Sequence, residues 1–382
     1  MRILFLVYHG FSEHSGISKK IHYQVKGLCE NGHDVHLCYY DFDERGHSCR
    51  FVDGKVIKDY GKGKWAGLRQ RMDYDDVYRY CLEEQIELIY ARCFQNATPW
   101  LTRFFKRIRK AGIRAVTEIP TYPYDQEFLM SDWKWRMAFY VDRMFRRSLY
   151  RHMNAIVTFS DAIEIFGQRT IRISNGVDFD SIPLHEPLTM NHELHVIGVA
   201  EVHYWHGFDR MIAGLGEYYR KRKEESEKSL DVYFHIVGGV HPNDRYHGNV
   251  FHPAFQQMIE QYGISDKVLF HGTLFGEELT KVFNQCQFAV GSLARHRSGI
   301  SVIKTLKNRE YATRGIPFIY SERDSDFDDK PFVLKAPADD SPIDIQQIVD
   351  FVARHHFVPT DIRKSIEHLE WKPQMASVIK EL

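Results

Sequence analysis

Short apolar segments alternate with amphipathic helical segments along most of the chain. The segment RILFLVY at 2–8 is apolar enough for a buried parallel strand, and the next segment places Ile17, Ile21, Val25 and Leu28 at helical spacing. DVHLCYY then resumes the strand pattern. A strand, a helix and a second strand in this order form a βαβ unit, whose strands are parallel. Because the unit recurs, the sequence predicts an α/β fold with doubly wound sheets.

The same alternation restarts in the second half of the chain. The strand HVIGVA at 195–200 opens a second series, and a length of 382 residues suits two domains. The segment near 180 to 192 has two prolines and little periodicity, so we place the boundary at about 185. The prediction is two Rossmann-like domains, 1–185 and 186–382, facing each other across a cleft. The amphipathic C-terminal end leaves open whether the last helix returns to the N-terminal domain.

Charge and cysteine content bear on several classes of protein. Lys and Arg together number 51, as do Asp and Glu, so no net charge attracts nucleic acid or an anionic membrane. The six cysteines form no CxxC pair, which argues against a disulfide framework or a zinc site, and no metal is expected. The N-terminal apolar run is too short for a signal peptide, and no run approaches the ~18 apolar residues of a membrane span. We therefore expect a cytoplasmic protein.

The first predicted loop carries a candidate phosphate-binding position. In open parallel sheets, ligands bind at the carboxyl ends of the strands. Gly16 opens the helix that follows the first strand, where free backbone N–H groups favour phosphate. The loop contains neither GxGxxG nor GxxxxGKS/T, which weakens the reading as a dinucleotide-dependent oxidoreductase.

The densest set of charges lies in the segment ARHRSGISVIKTLKNREYATRG at 294–315. Cations and exposed amides at a helix start bind diphosphate, and a carboxylate one turn further along can accept two ribose hydroxyls. Arg295, Arg297, Ser298 and Gly299 precede the predicted helix, and Lys304, Lys307, Arg309 and Glu310 lie on it. A solvated basic helix would show the same charges, so charge alone leaves that alternative open.

Motifs along nearly the whole chain resemble the retaining glycosyltransferases of the GT-B fold, specifically the family 4 group that uses nucleotide-sugar donors. In chain order they are Ser15-Gly16-Ile17, GLCENGHDVHL, SNGVDF, IVGG, VLFHGTLFGEEL and NREYATRGIPFI. By this match, Glu310 is the family's ribose-binding glutamate. The chain departs from the family at Val302, where most members carry a glutamate that contacts the donor sugar. It departs also at His206, where members carry a lysine, and at Glu118, where many carry a histidine.

The resemblance implies transfer of a hexose from a nucleoside-diphosphate sugar to a hydroxyl of a glycan or lipid-linked acceptor. It implies retention at the anomeric carbon, a role in bacterial surface polysaccharide synthesis, and no cofactor or metal besides the nucleotide-sugar co-substrate. His206 and Lys307, with Arg297, would stabilise the departing phosphate, and the segment from Arg297 to Ser301 would contact the donor. Glu118 could orient the acceptor or donor sugar, or act as a base, because a carboxylate in a cleft can have a raised pKa; a cap of a neighbouring helix is the alternative. The candidate acceptor residues are Tyr122, Tyr124 and Asp125, which could equally be ordinary packing residues of a loop.

Other functions stay open at this stage. The departures at Val302 and His206 also fit an inactive nucleotide-sugar-binding homologue, and a GT-B nucleotide-sugar epimerase shares the fold. Two basic segments rich in aromatic residues, 103–114 and 134–152, are typical of helices that lie on anionic lipid, but equally of core helices with solvated charges. With a lipid-linked acceptor, peripheral contact with the inner face of a membrane would be useful. No nucleic-acid partner is expected.

Overall fold

The chain divides into two compact units in a computed structural model. Unit 1 comprises Met1–Gly176 and Leu369–Leu382, and unit 2 comprises Val177–His368. The division follows Gly176, whereas the sequence placed it near 185, and the predicted linker lies partly outside the described residues. The described residues are 1–12, 15–92, 97–125, 133–186, 192–225, 230–239, 245–246 and 249–382.

Unit 1 is built on a mainly parallel sheet. Its described strands are β1 (Arg2–Leu6), β2 (Asp34–Phe42), β3 (Ser48–Val52), β4 (Lys55–Asp59), β5 (Leu88–Ala91), β6 (Arg114–Ile119), β7 (Ala155–Thr158), β8 (Glu164–Ile165) and β9 (Gln168–Arg172). They lie in the order β4-β3-β2-β1-β5-β6-β7-β9-β8. The neighbouring strands β2, β1, β5, β6, β7 and β9 are parallel to one another. At the edges, β3 pairs antiparallel with β2 and β4, and β8 pairs antiparallel with β9. The parallel part confirms the predicted Rossmann-like sheet.

Helices cover both faces of this sheet. They are α1 (Gly16–Glu30), α2 (Lys64–Met72), α3 (Asp75–Glu83), α4 (Pro99–Lys110), α5 (Trp133–Tyr150) and the C-terminal helix (Trp371–Lys380). The Ser15 side chain accepts a hydrogen bond from the Ser18 backbone N–H, and this cap fixes the start of α1. The helices α2 and α3 are separate, because Asp73 leaves the helical conformation between them.

The C-terminal helix completes the core of unit 1. Trp371, Met375 and Val378 are buried in the same apolar cluster as β1 and β5. A Cβ atom on Gly27 of α1 would lie 2.9 Å from the Trp371 backbone, and one on Gly176 would lie 2.5 Å from its ring. Both glycines therefore permit this close packing.

Unit 2 contains a second, wholly parallel sheet. Its strands are β10 (Glu193–Val199), β11 (Asp231–Val237), β14 (Val268–Gly272), β15 (Phe288–Val290), β16 (Phe318–Tyr320) and β17 (Val333–Lys335), in the order β14-β11-β10-β15-β16-β17. A short antiparallel pair, β12 (Arg245–Tyr246) and β13 (Asn249–Val250), stands apart. The helices are α6 (Phe208–Glu225), α7 (Phe251–Tyr262), α8 (Gly276–Phe283), α9 (Leu306–Arg314), α10 (Ile345–Arg354) and α11 (Pro359–Lys364).

Membrane-spanning helices were sought in the described ranges. None of the helices there is both long and apolar enough to cross a bilayer.

Candidate functional site

The candidate site lies in unit 2, where β15 and β16 end. The neighbouring strands β10 and β15 of the parallel sheet are each followed by a short 3-10 turn, Tyr204–His206 and Arg295–Ser298. The helix α9 begins shortly after the second turn. The Leu293 backbone N–H donates to the His206 carbonyl over 2.9 Å and ties the two turns together. Ligands of open parallel sheets bind at this end of the strands.

Lys307 and Glu322 are buried ionisable groups at this place. Within the described part of the chain, neither Lys307 Nζ nor Glu322 Oε1 has a hydrogen-bond partner. Burial, and then the Arg295 charge, lower the pKa of Lys307 to about 7, while Glu322 opposes the shift. Burial raises the pKa of Glu322 to about 7, against the effect of nearby cations. Such shifts are typical of functional sites.

His206 is a buried, neutral hydrogen-bond donor in this site. The His203 backbone N–H donates to His206 Nδ1 over 3.0 Å, so the ring proton of neutral His206 is on Nε2. Burial, and then the charges of Lys307 and Arg295, hold its pKa well below the usual range. The Arg295 guanidinium lies 5.5 Å from the centre of the Trp205 ring. The side chains of Lys307, Arg295 and His206 therefore form a group that suits an anion.

Further polar groups at this end of unit 2 are buried without partners. Ser292 Oγ, Thr305 Oγ1 and both side-chain polar atoms of Asn308 have no hydrogen-bond partner among the described residues. Ser292 and Asn308 are fully buried. Because buried polar groups are normally paired, these groups are suited to a polar ligand or bound water.

Two predicted donor-binding arginines are engaged in ion pairs within the protein. The Arg297 guanidinium donates to both carboxylate oxygens of Asp209, over 3.0 and 2.7 Å, and to Asp340 over 2.6 Å. Arg309 is fully buried and pairs with Asp324 over 2.7 Å and with Asp326. Its prediction as a donor ligand is wrong for a physical reason, since its charge is neutralised in the core. Arg297 likewise positions the turn rather than presenting a free charge.

The other predicted donor-binding residues have mixed environments. Gly299 adopts a left-handed conformation, φ 71°, at the end of the Arg295–Ser298 turn, and the exposed Ser301 accepts a backbone hydrogen bond from Arg323. Lys304 Nζ lies 3.6 Å from an Asp326 oxygen. Glu310, on the second turn of α9, is held by Arg314 at 2.9 Å and stays 32% exposed, which leaves it accessible to ribose hydroxyls.

Glu118 in unit 1 does not have the environment predicted for a base. It is fully buried, with Lys20 Nζ 3.0 Å and Arg92 Nε 3.4 Å from Oε1. Gln24 and Tyr90 donate to Oε2 over 2.6 and 2.7 Å. Burial would raise its pKa, but Lys20 and Arg92 and these hydrogen bonds lower the pKa below the ordinary value. The expectation of a raised pKa is therefore wrong, and Glu118 is the centre of a buried polar cluster.

Two of the three predicted acceptor residues take part in packing. Tyr124 is fully buried and donates to Asp142 over 2.9 Å. Asp125 is bound by both terminal nitrogens of Arg146, over 2.8 and 3.1 Å. Tyr122 is half-buried, with its ring 5.7 Å from that of Phe166, and is the best-placed of the three for a ligand.

Gly16 is exposed at the start of α1. A Cβ atom there would meet nothing within 4 Å, so close packing does not explain the glycine.

Sequence reasoning missed Glu322 and did not distinguish Arg295 from the other cations of its segment. Arg295 was placed among the cations of the diphosphate-binding segment, but it was not singled out from its neighbours. Glu322 follows the apolar strand segment FIYS directly. A carboxylate at the carboxyl end of a buried strand was the available signal.

Comparisons with known proteins show the fold. No protein-family model matches the chain, and no curated protein matches it in sequence. A sucrose-phosphate synthase from Thermosynechococcus elongatus superposes with a TM-score of 0.63 over 100% of this chain and 99% of its own, at 13% identity. The catalytic domain of starch synthase IV from Arabidopsis thaliana, bound to ADP and acarbose, gives 0.62 over 99% and 98%, at 12% identity.

A third similar structure is a trehalose-6-phosphate synthase studied for enzymatic glycosyl transfer with retention. Its TM-score is 0.57 over 99% of this chain and 98% of its own, at 11% identity. At these identities the likeness concerns the fold alone, and it confirms the predicted architecture. The chain has the GT-B fold.

Proposed function

We propose that this protein is a retaining glycosyltransferase of the family 4 type. It transfers a hexose from a nucleoside-diphosphate sugar to a hydroxyl of a glycan or lipid-linked acceptor, in the synthesis of a bacterial surface polysaccharide. The observation that carries the proposal is the set of Lys307, Arg295 and His206 at the carboxyl ends of the unit 2 strands. The Lys307 ammonium is buried without a partner among the described residues, as a group that awaits an anion would be.

These groups suit the chemistry of a departing diphosphate. The bond between the anomeric carbon and the phosphate oxygen breaks, and its electron pair goes to the phosphate. Lys307, Arg295 and the Nε2–H of His206 stabilise that charge. The acceptor oxygen bonds to the anomeric carbon on the same face, and its proton passes to the leaving phosphate. No protein nucleophile is needed, and since protein cations offset the charge, we propose that no divalent metal is required.

Glu310 completes the donor site in this proposal. Its partly exposed carboxylate, one turn into α9, accepts hydrogen bonds from the ribose hydroxyls. Gly299, Ser301 and Lys304, which lie between the Arg295–Ser298 turn and α9 in the sequence, line the donor in this proposal. The half-buried Tyr122 is the remaining candidate for contact with an acceptor.

Calorimetric titration of UDP, GDP, ADP and NAD tests the donor site. We expect micromolar binding of one nucleoside diphosphate, weakened at least tenfold, about 1.4 kcal/mol, by Lys307→Met and by Glu310→Ala. Lys330→Met is the matched control, because Lys330 donates to the Ser365 carbonyl outside the site. Binding of NAD alone, binding of no nucleotide, or equal effects of Lys307→Met and the control would contradict the proposal.

Product analysis tests the reaction itself. With the donor so identified, NMR of the product formed on glycan acceptors should show the anomeric configuration of the donor, and EDTA should leave the rate unchanged. Inverted product or loss of activity in EDTA would refute retention or metal independence, respectively.

A basic, apolar face of α5 supports peripheral membrane contact by unit 1. Trp133, Met137, Tyr140, Val141 and Met144 recur at helical spacing and are 37% to 72% exposed. Exposed Arg136, Arg143 and Arg147 lie on the same helix. Large exposed apolar side chains beside arginines suit the boundary of an anionic bilayer, and a lipid-linked acceptor would be met there.

Flotation with liposomes tests this contact. Wild-type protein should float with vesicles of phosphatidylglycerol and phosphatidylcholine, and less with phosphatidylcholine alone. Met137→Glu/Met144→Glu should abolish flotation, whereas Ile163→Glu, which alters an exposed apolar residue elsewhere in unit 1, should not. Equal flotation of all three proteins would contradict membrane contact through α5.

A further inference from the structure

Glu322 is held in a fixed position at the end of β16. Its neighbour Ser321 donates a backbone hydrogen bond to the Ser292 carbonyl over 3.0 Å. On the other side, the Arg323 N–H donates to the Ser301 carbonyl over 2.8 Å, and the Ile303 N–H donates to the Arg323 carbonyl over 3.0 Å. The chain around Glu322 is thus anchored to two neighbouring segments, and the side chain starts from a rigid backbone.

The carboxylate of Glu322 keeps acceptor capacity in a buried place. The residue is 2% exposed, and Oε1 has no hydrogen-bond partner within the described ranges. Oε2 lies 3.5 Å from Ser321 Oγ, and the backbone N–H of Glu322 itself also donates to the carboxylate. Lys335 does not bind this carboxylate, since its Nζ donates to the Glu322 backbone carbonyl and to Asp328. Burying a carboxylate in this way is costly, and such groups persist where a ligand completes them.

The surroundings of Glu322 point to a ligand with hydroxyl groups beside an anion. The hydrogen bonds of Ser321 to Ser292 and of Arg323 to Ser301 place Glu322 beside the segment that carries Arg295, one of the cations assigned to the diphosphate. Burial raises the pKa of Glu322, and the charges of Arg295 and Lys307 lower it against that effect. In a nucleoside-diphosphate sugar, hydroxyl-bearing rings flank the diphosphate on both sides. Glu310, which is anchored to Arg314, is already assigned to the ribose, and the transferred sugar is the other ring. Carboxylates accept strong hydrogen bonds from hydroxyls.

We propose that Glu322 accepts hydrogen bonds from hydroxyl groups of the transferred sugar and determines which sugar the protein accepts. This inference rests on the proposed function. A buried carboxylate rejects sugars whose hydroxyls do not reach it, because it is then left unpaired. Glu322 is thus a specificity-determining residue of the donor site.

Paired titrations separate the sugar from the rest of the donor. The probes are UDP with UDP-glucose, GDP with GDP-mannose and ADP with ADP-glucose, and the pair that the wild-type protein binds is used. For Glu322→Gln we expect at least tenfold weaker binding of the nucleotide sugar, with binding of the nucleoside diphosphate within threefold of wild type. Lys307→Met should weaken both ligands.

Asp328→Asn is the matched control. Asp328 shares Lys335 with Glu322, but it accepts hydrogen bonds from Tyr320 and Asp324, so its partners lie within the protein. This variant should bind both ligands as the wild type does. Equal weakening of both ligands by Glu322→Gln, or no weakening of either, would overturn the inference while the proposed function stands. If the wild type binds no diphosphate, both fail.

Glu322→Asp provides a second test that still applies if Glu322→Gln does not fold. It keeps the charge and shortens the side chain by one methylene, so the diphosphate should bind normally and the nucleotide sugar at least threefold more weakly. Normal binding of the nucleotide sugar by a folded Glu322→Asp would also overturn the inference.

Discussion

At the scale of single residues, the buried Lys307 links ligand binding to protonation. Its pKa is lowered to about 7, chiefly by burial, so part of the free protein carries a neutral amine at neutral pH. A diphosphate beside it favours the ammonium form, and binding must then take up a proton. At neutral pH, Lys307 is therefore fully protonated only when the diphosphate is bound.

The expected result is a nucleoside diphosphate affinity that falls as pH rises above about 7. At pH 8, calorimetry in buffers of different ionisation enthalpy should show net proton uptake, and Lys307→Met should abolish that uptake. Binding by wild-type protein that is independent of pH from 7 to 9 would contradict this coupling.

Charged residues also show what residue patterns can predict. The sequence located the basic segment at 294–315 correctly, but it did not distinguish Lys307, whose ammonium is buried without a described partner, from Arg309, whose charge is neutralised. Arg309 pairs with Asp324 and Asp326, which lie on a later loop. Arg297 pairs with aspartates at 209 and 340. Pairing over such distances along the chain is a product of the fold.

At the scale of elements, the Glu118 cluster joins three parts of unit 1. Glu118 lies on β6, Lys20 and Gln24 lie on α1, and Tyr90 lies on β5. Lys20 is 5% exposed and depends on this carboxylate for its counter-charge. The cluster therefore fixes α1 against the sheet.

Removing Glu118 should destabilise unit 1. We expect Glu118→Leu to cost about 3 to 5 kcal/mol, because a buried cation is left uncompensated. The double variant Glu118→Leu/Lys20→Met should recover much of this stability. Denaturant unfolding measures both, and a stable Glu118→Leu protein that lacks only transferase activity would instead support a catalytic base.

Three histidines form a row across β10, β11 and β14. His195 Nδ1 lies 2.8 Å from His235 Nε2, and His235 Nδ1 lies 2.9 Å from His271 Nε2. Burial, and then the two neighbouring histidines, lower the pKa of His235 to about 4. The unfolded chain binds a proton at this histidine more readily than the folded chain does. The contribution of neutral His235 to the free energy of unfolding is therefore complete above about pH 6.5 and is lost as pH falls towards 4.

His235→Phe should weaken this pH dependence. Denaturant unfolding should show that the free energy of unfolding falls less between pH 7 and pH 5 in the variant than in wild type, by on the order of 1 kcal/mol. His36→Phe, which alters a histidine of unit 1, is the control. Identical losses in wild type and His235→Phe would contradict the assignment.

Element prediction succeeded where the local pattern and the fold agree. The predicted strands RILFLVY, DVHLCYY and HVIGVA are β1, β2 and β10, and the helix predicted after the first strand is α1. The parallel strands β9 and β17 were not predicted. The β3–β4 hairpin was missed although its Asp53-Gly54 turn, with both φ values positive, is a recognisable hairpin signal. Its strands carry charged residues on an antiparallel edge, and they lack the long apolar runs that identified the buried strands.

At the scale of the whole molecule, unit 1 needs the end of the chain. Trp371, Met375 and Val378 are each at most 2% exposed. At about 1.5 to 3 kcal/mol per buried side chain, their loss approaches the stability of a typical domain. Periodicity alone left the location of this helix open, since the glycine contacts that hold it come from residues far away in the sequence.

Truncation tests this dependence. Deletion of 369–382 should make unit 1 sensitive to limited proteolysis while unit 2 stays resistant, and mass spectrometry of the fragments locates the cuts. Deletion of 381–382 alone is the control and should change little. A truncated chain whose unit 1 resists protease as well as wild type would contradict the assigned role of the C-terminal helix.

The return of the C-terminal helix also orders events during synthesis. Most of unit 1 precedes unit 2 in the sequence, yet its core closes only when residues 369–382 emerge from the ribosome. Roughly 200 residues separate Gly176 from that helix, which takes about 10 to 40 s at ordinary rates of translation. Unit 2, continuous in sequence, can therefore finish folding first, and a prematurely terminated chain presents an incomplete N-terminal core that the cell's chaperones and proteases can recognise.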